Sequence, residues 1–269
     1  MRLAHLLCAA AVSVAMTGVA SAITIPTNSN LVTNGNFAAT SPTTTVSTEF
    51  GTASFNGFTA QQFISGWTGN AGYEIWYPNA VAASTEDAFS VWGQGSDANT
   101  GKEMLYGPIS APPGATAFVG LDGDQQLDSG GHQVQSSIGQ EINGLISGHT
   151  YQVTFDWAGA QMQSRTGATT EQLQVSLGSQ SLDTSTLNNA SEGFTGWKTA
   201  TLDFTANSPS EWLSFLSVGT PASYPPMALL TNVSMSSVPE PASLALFGAG
   251  LLALGGSLAL RRRSQRTRA

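Results

Sequence analysis

Thiols, basic side chains and long helical patterns are what this chain has least of. One of its 269 residues is a cysteine, Cys8. No intramolecular disulfide can form, and the body of the chain has neither a thiol nucleophile nor a cysteine-ligated metal cluster. Nine Lys and Arg stand against seventeen Asp and Glu, a formal net charge of −8. Between Ile23 and Ser237 only Lys102, Arg165 and Lys198 are basic, against sixteen acids. Nucleic-acid binding needs cations to neutralise phosphates, so that class is set aside. His132 and His149 are the histidines of this stretch, and it holds no Gly-x-Ser-x-Gly elbow and no His-Glu-x-x-His pair. The usual parts of a serine hydrolase or a zinc peptidase are therefore missing. Paired carboxylates could still meet in space as glycosidases require, but sixteen scattered acids give no usable pattern.

Both ends of the chain are apolar. Arg2 is the only formal charge of the first 22 residues, an apolar stretch runs from Leu6 to Val19, and Ala20-Ser21-Ala22 offers a small-x-small cleavage site. Residues 1–22 are expected to form a signal helix, cut after Ala22. At the other end, Val238-Pro239-Glu240-Pro241 precede nineteen uncharged residues, 242–260, and then Arg261-Arg262-Arg263. A helix of that length spans roughly 28 Å, near the ~30 Å of a bilayer's hydrocarbon. The arginines would stop it on the cytoplasmic side. A single transmembrane helix is expected at 242–260, with a basic tail at 261–269.

The order Pro239-Glu240-Pro241, apolar helix, Arg261-Arg262-Arg263 closely resembles the PEP-CTERM sorting signal of Gram-negative bacteria. The resemblance implies that the tail 238–269 holds an exported protein in the inner membrane until an exosortase-type enzyme removes it. Pro239, Glu240 and Pro241 would be recognition residues.

The intervening residues, 23–237, suit one large all-β domain. In Tyr151-Gln152-Val153-Thr154-Phe155-Asp156-Trp157 large apolar residues alternate with polar ones, as in a half-buried strand. Leu173, Val175 and Leu177 repeat the pattern, as do Ala200, Leu202 and Phe204. Leu229, Thr231, Val233 and Met235 are expected to face inward together on the last strand. Earlier strands are expected at 31–37, 73–77, 88–92, 117–121 and 134–142. Segments 38–60 and 79–115, rich in Thr, Ser, Gly and Pro, are expected to be long loops. Punctuated strands of this number favour two packed sheets, with a jelly roll as the natural architecture.

The chain also resembles the galactose-binding-like β-sandwiches of the DUF642 and choice-of-anchor groups. The matching pieces are Asn30-Leu31-Val32-Thr33-Asn34-Gly35-Asn36-Phe37, Gly66-Trp67, Glu74-Ile75-Trp76, Phe118-Val119-Gly120-Leu121-Asp122-Gly123, Gly139-Gln140-Glu141-Ile142, Gly148 to Asp156, Trp197, Phe204-Thr205-Ala206 and Thr231-Asn232-Val233-Ser234. The family's last strand usually opens with Asp-Asn-Val. Thr231 stands at the Asp position here, so a carboxylate role there does not carry over.

Trp67, Trp76, Tyr77, Trp92, Tyr106, Trp197, Trp212 and Tyr224 could stack on sugar rings or simply pack in the core and rim. Alternation sets Trp197 apart from Leu202 and Phe204 and makes it the best exposed candidate, with Trp67 and Trp76 next. Asp122, Asp124 and Asp128 form Asp-Gly-Asp-x-x-x-Asp after an expected strand. They would make either a structural calcium site or an acidic solvated turn, without the closing Glu of an EF-hand. No other cofactor is expected. The expectation is a non-catalytic surface or extracellular-matrix protein that binds carbohydrate or adheres, with exopolysaccharide as the target by resemblance. The alternatives are a purely structural matrix component and a divergent glycan hydrolase. Ice binding calls for a regular threonine array, whereas Thr43-Thr44-Thr45 is a lone run.

Overall fold

A computed structural model describes residues 29–39, 64–69, 74–80, 83, 104–124, 126–127, 133–163, 165–222 and 226–239. In it, period-two sequence becomes strand wherever one face can be buried. The strands are β1 (Thr68–Gly69), β2 (Glu74–Tyr77), β3 (Phe118–Asp122), β4 (Gln126–Leu127), β5 (Gln133–Val134), β6 (Ser137–Asn143) and β7 (Thr150–Gln161). They continue as β8 (Thr169–Leu177), β9 (Gln180–Asp183), β10 (Leu187–Asn189), β11 (Lys198–Thr205), β12 (Ser210–Thr220) and β13 (Pro226–Ser237). One sheet runs β1-β6-β12-β8-β10, with β9 also paired to β8; the other runs β11-β7-β13-β3-β2. Every pairing is antiparallel. The fold is thus all-β with two main sheets. The expected signal helix at 1–22, transmembrane helix at 242–260 and strand at 88–92 lie outside the described residues.

The sheets share one core. Ile138, Ile142, Leu173, Val175, Leu177, Leu213 and Phe215 of the first meet Val119, Leu121, Tyr151, Val153, Phe155 and Leu230 of the second. Phe155 and Phe215 touch edge to face across the gap, their centroids 5.1 Å apart. Each such side chain contributes about 1.5–3 kcal/mol on burial, which replaces the cross-links the chain cannot make. The alternations expected in β7 and β8 are the ones observed.

A second, smaller core lies on the outer side of the five-stranded sheet. Ile75, Tyr77, Leu105, Ile109, Phe118, Ala158, Ala160, Met227 and Leu229 pack together there. It explains why β7 ends in Ala158-Gly159-Ala160 and β13 opens on Met227-Ala228-Leu229-Leu230. These stretches are buried on both faces and lose their alternation. Part of the expected loop 79–115 supplies the cover.

The last strand departs from its expected facing. Val233 and Met235 point into the main core, but Leu229 belongs to the outer one. A bulge between Thr231 and Ser234 shifts the register, and Asn232 sits there at φ 52°. The extra residue reverses the parity of everything upstream. Thr231 is fully buried and donates its hydroxyl hydrogen bond to the Ala117 carbonyl at 2.8 Å.

Residues 31–37 form turns rather than the expected strand. Asn34 takes φ 52° and Phe37 φ 55°. The Asn34 side chain bonds the Ala39 N–H and the carbonyls of Ala39 and Ser65. The indoles of Trp67 and Trp76 donate to the carbonyls of Asn34 and Phe37 at 3.0 and 2.9 Å. Gln140 of β6 bonds both the N–H and the carbonyl of Thr33. Much of the Asn30–Phe37 resemblance is therefore a structural clamp that holds residues 64–69 against the edge of the first sheet.

Candidate functional site

The outward face of the six-stranded sheet is mostly polar. Trp212, Ser214, Leu216 and Val218 of β12 lie between Thr170, Gln172, Gln174 and Ser176 of β8 and Ser137, Gly139 and Glu141 of β6. Many hydroxyls on this face are paired: Ser176 with Ser214 at 2.7 Å, and Thr170 with Thr220 at 2.7 Å. Trp212 is the exception in size and chemistry. It is 45% exposed, the one exposed aromatic among the described residues.

Trp212 owes its position to a glycine. On Gly139 of the neighbouring strand, a Cβ would come within 2.5 Å of the Trp212 Nε1 and 2.7 Å of Cε2. The indole therefore lies over the bare backbone of β6, and a larger residue would lift it away. Glu141 stands directly opposite Trp212 in the β6–β12 register. One Glu141 carboxylate oxygen accepts the Ser210 hydroxyl. A cleft of about 310 Å³ opens between Trp212, Glu141 and Gln140 and the clamped segment Ile64, Ser65, Gly66, Trp67 and Thr68. Gly66 takes φ 84°, a conformation that favours glycine.

None of the three tryptophans singled out from sequence is exposed as Trp212 is, although Trp67 lines the same cleft. Trp67 is 2% exposed, its ring 4.9 Å from Phe37 and 6.2 Å from Phe215. It is a core residue, and this removes it from the stacking candidates. Trp76 is half-buried against the main core and tied to Phe37. Trp197, expected to be the most exposed, packs on the outer core, edge to face with Phe118 at 5.5 Å, and its N–H is bonded to Ser110. The alternation argument placed it off the main core correctly but could not foresee the second core that covers it. Of the wider aromatic set, Tyr77 is buried and the Tyr106 hydroxyl donates to the Gln163 carbonyl at 2.7 Å. Trp92 and Tyr224 lie outside the described residues.

Asp122 is buried, and its Oδ1 accepts the Asp124 backbone N–H at 2.8 Å, which closes a turn. Asp128, the third of the expected calcium set, lies outside the described residues. No group of three potential ligands occurs among the described residues. Pro239 is exposed just beyond β13, whose register is extended by the Val238 N–H bonding the Thr150 carbonyl at 2.9 Å. Glu240, Pro241, Arg261, Arg262 and Arg263 are outside the described residues. No described helix is long and apolar enough to cross a membrane.

Glu171 is among the buried acids that the sequence did not mark. Glu171, on the inward face of β8, is fully buried. Its Oε1 accepts the Thr169 hydroxyl at 2.5 Å and its Oε2 has no hydrogen-bond partner. Burial pushes the carboxyl up to about 7, only partly opposed by the Thr169 bond. Gly159 of the facing sheet leaves space for it; a Cβ there would stand 2.9 Å from the Glu171 Cδ.

Similarity to solved structures is low. The enzymatically active domain of tailspike protein 4 from bacteriophage CBA120 is 11% identical over 78% of this chain, with a TM-score of 0.37. The chain spans about a fifth of that protein's length (21%). A putative sugar binding protein from Bacteroides thetaiotaomicron is 11% identical, with 78% of this chain and 100% of that one covered and a TM-score of 0.33. The CBM22-1 xylan-binding domain from Paenibacillus barcinonensis Xyn10C is 6% identical, with 49% and 78% covered and a TM-score of 0.31. No curated protein matches the chain. At the level of family, residues 106–234 match DUF642, described as a protein of unknown function, and residues 237–263 match the PEP-CTERM protein-sorting motif.

Proposed function

We propose that this is an exported, non-catalytic surface protein whose sandwich, residues 23–237, binds carbohydrate through the Trp212 cleft. The observation that carries the reading is an indole 45% exposed on a polar sheet face, beside a cleft lined by hydroxyl and carboxylate groups. An isolated, supported indole face suits the apolar C–H surface of a sugar ring, while the surrounding polar groups suit its hydroxyls. Glycoside hydrolysis needs two carboxyl groups flanking one bond. Glu141 is the single carboxylate lining the cleft among the described residues, which favours binding over turnover.

The match at 237–263 supports the rest of the reading. A signal peptide at 1–22 exports the chain, the tail at 238–269 anchors it transiently in the inner membrane, and an exosortase-type enzyme removes that tail. The product is released to the cell surface or beyond, with exopolysaccharide as the expected target. The two antiparallel sheets and the match at 106–234 support reading the body as a galactose-binding-like jelly roll.

Affinity electrophoresis of the full-length chain in detergent, through gels containing single polysaccharides, tests the binding reading. At least one polymer should slow the wild type, and Trp212→Ala should cut that retardation about tenfold or more without changing the far-ultraviolet circular dichroism. Mobility equal to that of an inert protein in every gel would remove the reading.

A further inference from the structure

We propose that the Trp212 cleft takes neutral sugar rings and rejects glycans carrying carboxylate or sulfate groups. The inference rests on the carbohydrate-binding reading above and deepens it. Glu141 and Trp212 are directly opposed across β6 and β12. Opposed residues of an antiparallel pair have Cβ atoms about 5 Å apart. Both residues line the one cleft, so a sugar ring held against the indole shares that cleft with Glu141. One oxygen of that carboxylate takes the Ser210 hydroxyl, and the other can accept sugar hydroxyls. An ionised carboxylate accepts hydrogen bonds but cannot donate one, so an anionic substituent meets repulsion there.

Among the described residues, no cation lines the cleft to offset the charge. The basic side chains among the described residues are His149, Arg165 and Lys198. His149 lies just before β7, Arg165 follows β7, and Lys198 opens β11 at the edge of the other sheet. None of them lines the cleft. The remaining polar groups of the cleft, Ser65, Thr68 and the Gln140 amide, are uncharged. A site selective for anionic glycans would place a cation where Glu141 stands.

Matched polymers isolate this effect from the fit of the sugar itself. The full-length chain in detergent is run through gels containing dextran or dextran sulfate, and hydroxyethylcellulose or carboxymethylcellulose, at low ionic strength. The neutral member of a retained pair should bind about tenfold more tightly than its anionic partner. Glu141→Gln should narrow that ratio severalfold. Asp203→Asn, an equal charge change at an exposed site on the other sheet, controls for the chain's overall negative field and should leave the ratio near its wild-type value. Equal retention of both members, or equal narrowing by the two variants, overturns the proposal and leaves carbohydrate binding standing. Failure of every polymer to slow the wild type overturns both.

Discussion

Gly35→Ala is expected to destabilise the protein by about 3 kcal/mol or more, the largest effect of any single methyl added at a described glycine. Gly35 belongs to the turn segment that crosses the bulge of β13. Its carbonyl accepts the Val233 N–H at 2.9 Å. The two backbones approach so closely that a Cβ on Gly35 would overlap the Val233 carbonyl oxygen and stand 2.8 Å from its carbon. Neither partner is a flexible side-chain end, so relief requires a shift of backbone. That shift would disturb three neighbours together: Phe37, fully buried two residues on, and the indoles of Trp67 and Trp76, anchored on the carbonyls of this turn. A domain is stable by only about 5–15 kcal/mol in total. Urea unfolding should show a lower midpoint with an unchanged slope. A midpoint within error of wild type would show that the segment is not the clamp described.

The second large effect is tied to pH. Glu171 has its carboxyl raised to about 7 in the folded protein, above the ordinary 4.5. Between those values the folded state holds a proton that the unfolded chain has lost. Stability therefore falls as pH rises from about 4.5 and reaches its lower plateau above about 7. The full shift corresponds to at most about 3 kcal/mol. Glu171→Gln keeps the shape and the acceptor for Thr169 but cannot ionise. The variant should show a flatter stability profile between pH 4.5 and 7 and should exceed the wild type by roughly 1–3 kcal/mol at pH 8. The lower end of that range allows for an amide N–H₂ left without a partner where Oε2 now has none. Parallel profiles for the two proteins would mean that the carboxyl does not titrate where its burial places it. The exposed acids of the outer faces have no comparable environment, so the difference between the two profiles isolates this one group.

How far the sequence could be read depended on whether a strand has one buried face or two. The first part of β7 and all of β8 alternate cleanly because one face meets the core and the other meets solvent, and their inward residues are legible by position. β13 is not legible in this way: its first half is covered on both sides and its second half lies beyond the Asn232 bulge, so strict alternation misplaces Leu229. β12 was not among the expected strands at all. Trp212, Leu213, Phe215, Leu216 and Val218 put apolar residues on both of its faces, which erases the period-two signal in the central strand of its sheet. The one exposed tryptophan among the described residues lies on that strand. The glycine beneath its indole, Gly139, and the Asn30–Phe37 clamp were visible as family-like motifs, but their meeting at one edge is a product of topology. Trp197 shows the converse. Its off-core facing was readable, and the cover supplied by residues 104–118 was not, because nothing local marks a segment that folds back over a sheet 80 residues later.

A sugar ring bound in the cleft should rest on the Trp212 indole. The chain has six tryptophans, whose indole N–H signals can be followed individually in nitrogen-15-labelled protein, with Trp212 assigned from a Trp212→Phe sample. Titration with the neutral polysaccharide fragment that best slows the protein should shift the Trp212 signal saturably while those of Trp76, Trp157 and Trp197, which do not line the cleft, stay in place. A saturable shift confined to another tryptophan, or a bound ligand that leaves the Trp212 signal unmoved, would contradict the account.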